Sequence, residues 1–363
     1  MNNALIPLRF NDADEGAFHQ ALQAQAKRYL TDSGDHRFAN RRAFIKAGLI
    51  LATGVVCYIL SLRTSQPVFF VAGYTAFALL MMWLNIDVNH DASHQTFTRH
   101  RIWNAFISRA VTLPTGIEPV YWRVRHVSYH HRYANIEHYD LDTEENGIFR
   151  QTPFQRWRRW MRFQRFYWPL IAALSLSWIG VVFDWADRLG RTPLQAERLL
   201  PGARGWAAFI FSKTGHLLLM LGLPVMMGHS VWLVLGIYCL TQMCTSLLVV
   251  FLLLGTHWAG AAFYQAPEGD TPVMAHGWYY HNFTTACDWH TPQRWLETFT
   301  GGLNYHLTHH LFPGWHHRHY PMLSRIVSTL AREHGLPYRC ISYSDLRAAQ
   351  RIFLARMGAP HAA

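Results

Sequence analysis

Three groups of histidines stand out by their spacing. RHVSYHH carries His126, His130 and His131, NHDASH carries His90 and His94, and NYHLTHH carries His306, His309 and His310. Neutral imidazole suits zinc, copper, iron and nickel, so residue type alone does not choose the metal. The number is more selective. A zinc site closes at about four ligands, so eight histidines converging on one place require at least two metals. On a helix His126 and His130 share a face and His131 lies about 100° further round, which lets one helix serve two neighbouring ions. The chain has neither an HExxH sequence nor the Glu-x-x-His pair of carboxylate-bridged di-iron bundles. A histidine-rich di-iron site is the reading that remains.

Each cluster follows a strongly apolar stretch, which turns attention to the elements that position it. Of the 363 residues half are hydrophobic and 15% aromatic, and long uncharged runs alternate with Arg-rich segments. That segregation predicts an all-α, polytopic membrane protein with sizeable aqueous parts. The net charge of +11 could indicate nucleic acid, but the basic residues flank the apolar runs. Membrane lipids or an acidic redox partner fit better, and no nucleic-acid partner is expected. Cys57, Cys239, Cys244, Cys287 and Cys340 have no CxxC spacing, so neither a disulfide framework nor a zinc knuckle is indicated. The mostly polar first 40 residues carry no cleavable signal, and the N-terminus is expected in the cytosol.

Residues 1–40 read as a leader, helical around Phe18, Leu22 and Tyr29, with a turn at Asp32-Ser33-Gly34. Arg37, Arg41, Arg42 and Lys46 mark the start of the first span as cytoplasmic. Spans are expected at about 43–62, 67–86, 206–227 and 231–254, as two hairpins in a membrane domain over 41–337, with a cytoplasmic tail at 338–363. From Arg156 to Trp168 five arginines alternate with aromatic residues, as in a helix lying in the headgroup layer. The uncharged run that follows is sixteen residues, Trp168 to Phe183, and contains Pro169. If it crossed, the third histidine cluster would end opposite the first two, so 156–183 is read as interfacial or re-entrant. Lys213 and His216 lie within a span and attract attention as intramembrane polar residues, although Lys213 could snorkel to the interface. Four spans put both termini and all three clusters on one side, in a cytoplasmic helical cap that holds the metal site.

At these residues the chain resembles the integral-membrane fatty acid desaturases, whose signature is HxxxH, then HxxHH or HxxxHH, then [HQ]xxHH. The contexts NHDASHQTF, RHVSYHHRYANIEHYDLD and TGGLNYHLTHHLFPGWHHRHYP look closest to the linoleoyl-CoA and front-end branch, over about residues 37–337. By that resemblance His90, His94, His126, His130, His131, His306, His309 and His310 bind two iron ions, and His257, at the cytoplasmic end of the fourth span, joins them. His281 matches a recurrent family position as a further ligand or a residue behind the ligands. Asp91, Asn135, Asp140 and Asp142 match positions that could accept hydrogen bonds from the distal ring nitrogens. No catalytic residue beyond the metal ligands is named. Two departures from the family pattern matter: His306 stands where front-end enzymes usually carry Gln, and the HPGG motif of a fused haem domain is not present. The resemblance therefore implies a fatty acyl substrate, held as a lipid, CoA or carrier-protein ester, and a separate electron donor such as a ferredoxin or a cytochrome. The location implied is the cell (inner) membrane, with both termini and the active site on the cytoplasmic side. No side chain can deprotonate an unactivated methylene, so the chemistry calls for metal and dioxygen, with the protein positioning the chain and keeping the site dry. Hydroxylase, epoxidase and acetylenase share the scaffold and stay open, as do a zinc-dependent lipid hydrolase and a metal carrier from other classes.

Overall fold

The computed structural model describes residues 5–360, so residues 1–4 of the leader and 361–363 of the tail lie outside the described residues. The chain is predominantly helical. It also holds two short parallel strand pairs, Arg9–Phe10 with Val273–Met274 and Asp288–His290 with Cys340–Ser342. The all-α expectation missed them because strands of two or three residues are too short to carry a readable alternation. Two compact units emerge. The first comprises Ala39–Val124 and Pro169–Phe251; the second comprises Leu5–Phe38, Arg125–Trp168 and the chain from Leu252 onward.

Among the described residues five helices are long and apolar enough to cross a membrane: Arg41–Arg63, Pro67–Ser93, Arg159–Arg188, Gly202–Met226 and Val231–His257. Four match the segments expected as spans, the third ending one residue short at Met226. The fifth covers most of the segment read as interfacial, and it is longer than its uncharged run. Its helix passes through Pro169, takes a π-helical turn at Ile179–Phe183 and continues over Asp184–Arg188. Charge ends the run in the sequence at Asp184, but Asp184, Asp187 and Arg188 are all buried, so the helix continues where the hydropathy stops.

In the first unit Arg41–Arg63 begins at Asn40, whose side chain accepts from the Ala43 N–H at 3.1 Å, and Pro67 opens the next helix at its first turn. The two helices form an antiparallel hairpin that meets backbone to backbone. A Cβ on Gly73 would stand 2.7 Å from the Cys57 carbonyl oxygen, so only glycine allows this approach. Around them Ile50, Tyr58, Phe70, Phe77, Met81, Met220 and Ile237 form an apolar core.

Lys213 does not snorkel. Its ammonium group is buried in this unit and donates to the Gly116 carbonyl at 2.6 Å, the Gly180 carbonyl at 2.8 Å and Asp184 Oδ2 at 2.5 Å. An ammonium has three protons and no acceptor, and here it meets three acceptors. Two are carbonyls at irregular backbone, Gly116 in a left-handed turn with φ of 73° and Gly180 within the π-helical turn. Asp184 Oδ2 also accepts from the Glu118 N–H at 2.7 Å. His216 is likewise a satisfied structural residue, with Nδ1 donating to the Leu113 carbonyl at 3.0 Å and Nε2 accepting from the Tyr238 hydroxyl at 2.8 Å.

The second unit is built from stretches far apart in sequence. The leader forms the helix Gly16–Ser33, ending where the turn signal predicts, and packs Phe18, Leu22 and Ala26 against Phe283, Leu323 and Val327. The C-terminal helix Tyr343–Met357 stacks Phe353 on Trp258. Carbonyls at and just beyond its C-terminus take donors from a distant segment. Gln164 donates to the Leu354 carbonyl at 3.1 Å, Trp157 to that of Gly358 at 2.9 Å and Arg150 to that of Ala359 at 3.3 Å. Beside them Trp160, Phe163 and Phe166 are exposed, and Arg158, Arg162 and Arg165 lie over these rings. Aromatic faces carrying guanidinium groups are the chemistry of a headgroup layer.

The Lys213 arrangement makes a stability prediction. Lys213→Met strands three buried acceptors, one of them a carboxylate, which should cost about 3–5 kcal/mol. Adding Asp184→Leu should restore part of the loss, because the unpaired charge is then gone. Thermal unfolding of the detergent-solubilised variants checks this; a single variant as stable as wild type would contradict it.

Candidate metal centre

In the second unit seven of the predicted histidines come together in two sets. The candidate ligand atoms of His130, His257, His306 and His310 all lie within 4.8 Å of one another, and so do those of His126, His131 and His309. The partition differs from what an α-helical period implies. Residues 124–130 are π-helical. In an α-helix residue i+5 lies about 140° round from residue i, but the wider π turn brings His131 beside His126, with their Nε2 atoms 3.2 Å apart. His130 is left to the other set. In the first unit His90 and His94 follow another π-helical turn, Asn85–Asn89, and form a pair with ring centroids 5.0 Å apart. Burial takes His94 down to about 3, so it is neutral.

Whether these residues suit a metal is decided by which ring nitrogen carries the proton. A carbonyl or carboxylate oxygen can only accept, so the nitrogen facing it must donate and the other must present a lone pair. His257 Nδ1 faces the Thr285 carbonyl at 2.9 Å, His310 Nδ1 faces Asn282 Oδ1 at 3.2 Å and His130 Nδ1 faces Asp140 Oδ1 at 3.2 Å. The amide of Asn282 is oriented because its Nδ2 donates to the Trp278 carbonyl. His309 follows the same rule at one remove. The Tyr320 hydroxyl donates to the Trp315 carbonyl, so it accepts from His309 Nδ1 at 2.8 Å. With one proton on each ring, all four imidazoles turn an Nε2 lone pair inward; His130, which its carboxylate neighbours favour in the charged form, offers that lone pair once its second proton is given up. His257 Nε2 lies 2.7 Å from His306 Nε2, and His310 Nε2 is buried with no hydrogen-bond partner among the described residues. His306 Nε2 can donate to His257 at that distance, while the other inward lone pairs gathered in this buried space suit a cation, so the donor set fits a metal with nitrogen ligands.

Asp140 is the predicted acidic residue best placed to orient a ligand. It also accepts from the Asn135 and Asp142 N–H groups, and its carboxyl is held below the usual range: burial alone would raise it, but His130 and these donors outweigh burial. Burial disfavours charge on His130, yet Asp140 and Asp142 push it up to about 9. Asp142 is less direct, 3.6 Å from His130 Nδ1 and partly exposed. Asn135 acts on the frame rather than on a ring, its Nδ2 donating to the carbonyls of His257 and Ala262, both at 3.0 Å. The Asp91 carboxylate is buried in the first unit, and its carbonyl closes the turn onto Thr96. His281 lies outside both sets. Its Nε2 donates to the Ala134 carbonyl at 2.8 Å and its Nδ1 accepts from His276 Nε2 at 3.1 Å, and burial keeps it neutral by taking it down to about 3.

Residues that sequence reasoning missed sit behind the candidate ligands. The helix Trp278–Thr285 holds two of them beside the expected His281, which fixes the end of the second cluster: Asn282 orients His310 and the Thr285 carbonyl orients His257. The spacing 278, 281, 282, 285 is that of one helix face, and it was available as a signal. Asp288 is the other. Fully buried, it accepts from the Thr308 N–H at 3.0 Å and hydroxyl at 2.6 Å and from the Tyr338 hydroxyl at 3.0 Å, which caps the helix carrying His306, His309 and His310. Burial raises it to about 6 despite these donors. A lone acid in the apolar context CDW was its only trace in the sequence.

Residues 65–342, more than two thirds of the chain, match the family described as fatty acid desaturase. The chain belongs to that family. The desaturase is 26% identical to an sn-1 linoleoyl-lipid 6-desaturase of Synechocystis sp., with 94% of each chain covered. It is 24% identical to an acyl-lipid (8-3)-desaturase of Physcomitrium patens, covering 96% of this chain and 73% of that one. An sn-1 linoleoyl-lipid 6-desaturase of Arthrospira platensis is 22% identical over 88% of this chain and 87% of its own length. The enzyme is thus an oxidoreductase of lipid metabolism, and its long apolar helices agree with a membrane-bound family.

Residues behind a ligand typically contribute 10–100-fold to metal affinity. Asp140→Asn and Asn282→Leu should each weaken metal binding to the purified protein by about that factor, with little change in helix content. Competitive metal titration followed by circular dichroism measures both, and unaltered affinity in both variants would refute the assignment of proton positions.

Proposed function

We propose that this desaturase binds two irons through nine histidines and introduces a double bond into an acyl chain carried as a lipid ester. One iron takes His130, His257, His306 and His310; the other takes His126, His131 and His309 with His90 and His94. The observation that carries this reading is the convergence of Nε2 lone pairs, each fixed by an acceptor behind its ring. The lipid ester is preferred over a CoA or carrier-protein ester because the relatives are named for acyl lipids. Bound iron would supply the redox chemistry with dioxygen that an unactivated methylene demands. The chain's own part is to hold the ligands in one tautomer and keep water away: His130, His257, His306 and His310 are all buried.

Each turnover also consumes two electrons. A separate ferredoxin-like or cytochrome donor is proposed to bring them, docking an acidic face on exposed Arg156, Arg158, Arg159 and Arg162. The experiment pairs metal analysis with lipid mass spectrometry after expression beside a matched reductase. Two irons per chain and a new double bond are expected, both lost in His130→Ala, with no product from NAD(P)H alone. One zinc per chain, or turnover without a donor, would overturn the proposal.

For the membrane we propose four crossings in two hairpins, with both termini and the metal centre in a cytoplasmic cap and Arg159–Arg188 lying at the inner surface. Parity supports this. His131 and His257 belong to one compact unit, so the chain between them must cross an even number of times, yet three long apolar helices intervene. The one flanked by exposed arginines and aromatics is the candidate to stay at the surface. A cysteine introduced at Arg191 should then be shielded from an impermeant thiol reagent outside the cell, and one at His229 labelled. The reverse pattern would make Arg159–Arg188 a true span.

A further inference from the structure

The helix Trp278–Thr285 stands behind two candidate ligands, Asn282 facing His310 and the Thr285 carbonyl facing His257. It is eight residues long, and a helix of that length does not persist on its own. The N–H groups of its first turn have no partner inside the helix. The residue ahead of it is Gly277, with no side chain to offer them.

Their partners come from the leader. The Trp278 N–H donates to Asp12 Oδ1 at 2.9 Å, the Tyr279 N–H to Glu15 Oε2 at 2.8 Å and the Tyr280 N–H to Glu15 Oε1 at 2.7 Å. Two carboxylates therefore meet the positive end of the helix dipole. Gly277 leaves the room that Glu15 fills, since a Cβ there would stand 2.1 Å from the Glu15 carboxyl carbon. Glu15 also sits at the start of the leader's own helix, yet its side chain caps none of that helix's N–H groups. The pairing of Arg9–Phe10 with Val273–Met274, and the Asn11 N–H donating to the His276 carbonyl at 3.1 Å, hold the leader at this spot.

One chain of contacts leads from these acids to the metal centre. Trp278 is held at its N–H by Asp12, and its carbonyl accepts from Asn282 Nδ2 at 2.8 Å, which turns Asn282 Oδ1 toward His310. If the first turn frays, the Trp278 carbonyl moves and the Asn282 amide is free to flip. His310 then loses the acceptor that keeps its proton on Nδ1. From this chain we propose that Asp12 and Glu15 are positioning residues for the metal centre: the leader caps Trp278–Thr285 and, through Trp278 and Asn282, holds His310 in the tautomer that turns Nε2 inward.

The inference rests on the reading of His310 and His257 as metal ligands, and the experiment separates the two. Cobalt(II), whose visible absorption follows its ligands, is titrated into the purified full-length protein against a chelator, with circular dichroism showing each variant folded. Glu15→Ala and Asp12→Ala should each weaken cobalt binding by about tenfold, the lower end of what residues behind a ligand contribute. Asp12→Asn keeps an acceptor oxygen and should weaken it far less. Asp12 is exposed, so its variants keep the test open should Glu15→Ala fail to fold. Ser342→Ala removes a cap of the same kind from the helix Tyr343–Met357, where Ser342 accepts from the Asp345 N–H at 3.1 Å, and should leave affinity and spectrum unchanged. In an Asn282→Leu background Glu15→Ala should add only a small further loss, because the residue through which the cap acts is already gone. Wild-type affinity in the folded alanine variants overturns the proposal, and so do losses that multiply fully with Asn282→Leu or that Ser342→Ala reproduces. If His130→Ala binds cobalt as tightly as wild type, the metal reading itself fails, and the proposal with it.

Discussion

Imidazole rings packed edge to face with their Nε2 lone pairs turned together form an arrangement that no apolar core would choose. Four of the rings, His130, His257, His309 and His310, are held in that state from behind, by an oxygen that can only accept a proton or by a hydroxyl whose own proton is already committed. Removing one such acceptor would let the ring rotate or change tautomer. Much of the second unit follows from this requirement. Asp140 sits in a turn shaped by Asn135 with φ of 59°, Tyr320 is clamped by the Trp315 carbonyl, and Asp288 anchors the helix that presents three of the histidines. The leader and the C-terminal helix complete the packing around them.

The bilayer imposes a second constraint, because irregular backbone needs internal partners where water is excluded. Four π-helical turns occur among the described residues, at Asn85–Asn89, Val124–His130, Ile179–Phe183 and Leu218–Gly222. Each is tied to a particular task. The first precedes His90, and the second changes which histidines stand side by side. The third opens the Gly180 carbonyl to Lys213, and the fourth is clasped by Tyr58 and Tyr74. A polar residue in a span is therefore not by itself a mark of catalysis in this molecule. Lys213 and His216 are explained by the backbone carbonyls they satisfy.

The sequence was most legible where information is local. Twenty-residue apolar runs, an asparagine ahead of a helix and a proline at its first turn report on their own segments, and the four segments expected as spans lie, to within one residue, on long apolar helices at 41–63, 67–93, 202–226 and 231–257, with a fifth such helix at 159–188. The family and its oxidoreductase chemistry were legible too, because three histidine clusters of set spacing carry them, and the family match agrees. The extent of Arg159–Arg188 was not. Hydropathy counts Asp184 and Arg188 as an end, whereas the fold buries them and the helix goes on.

By itself, then, the sequence determined which residues could be ligands, which segments could enter a membrane and what class of reaction the combination serves, since spacing along one chain carries all three. Only the tertiary structure decided how the histidines divide into sets, and which groups stand behind them. His130 meets His257 across 127 positions of chain, and His310 meets Asn282 across 28. A π-turn that shifts the register by one residue has no period to betray it, and a proton on a ring nitrogen is assigned by an acceptor that folding alone brings within 3 Å. Such choices depend on contacts between distant segments, and no local pattern of residue types encodes them.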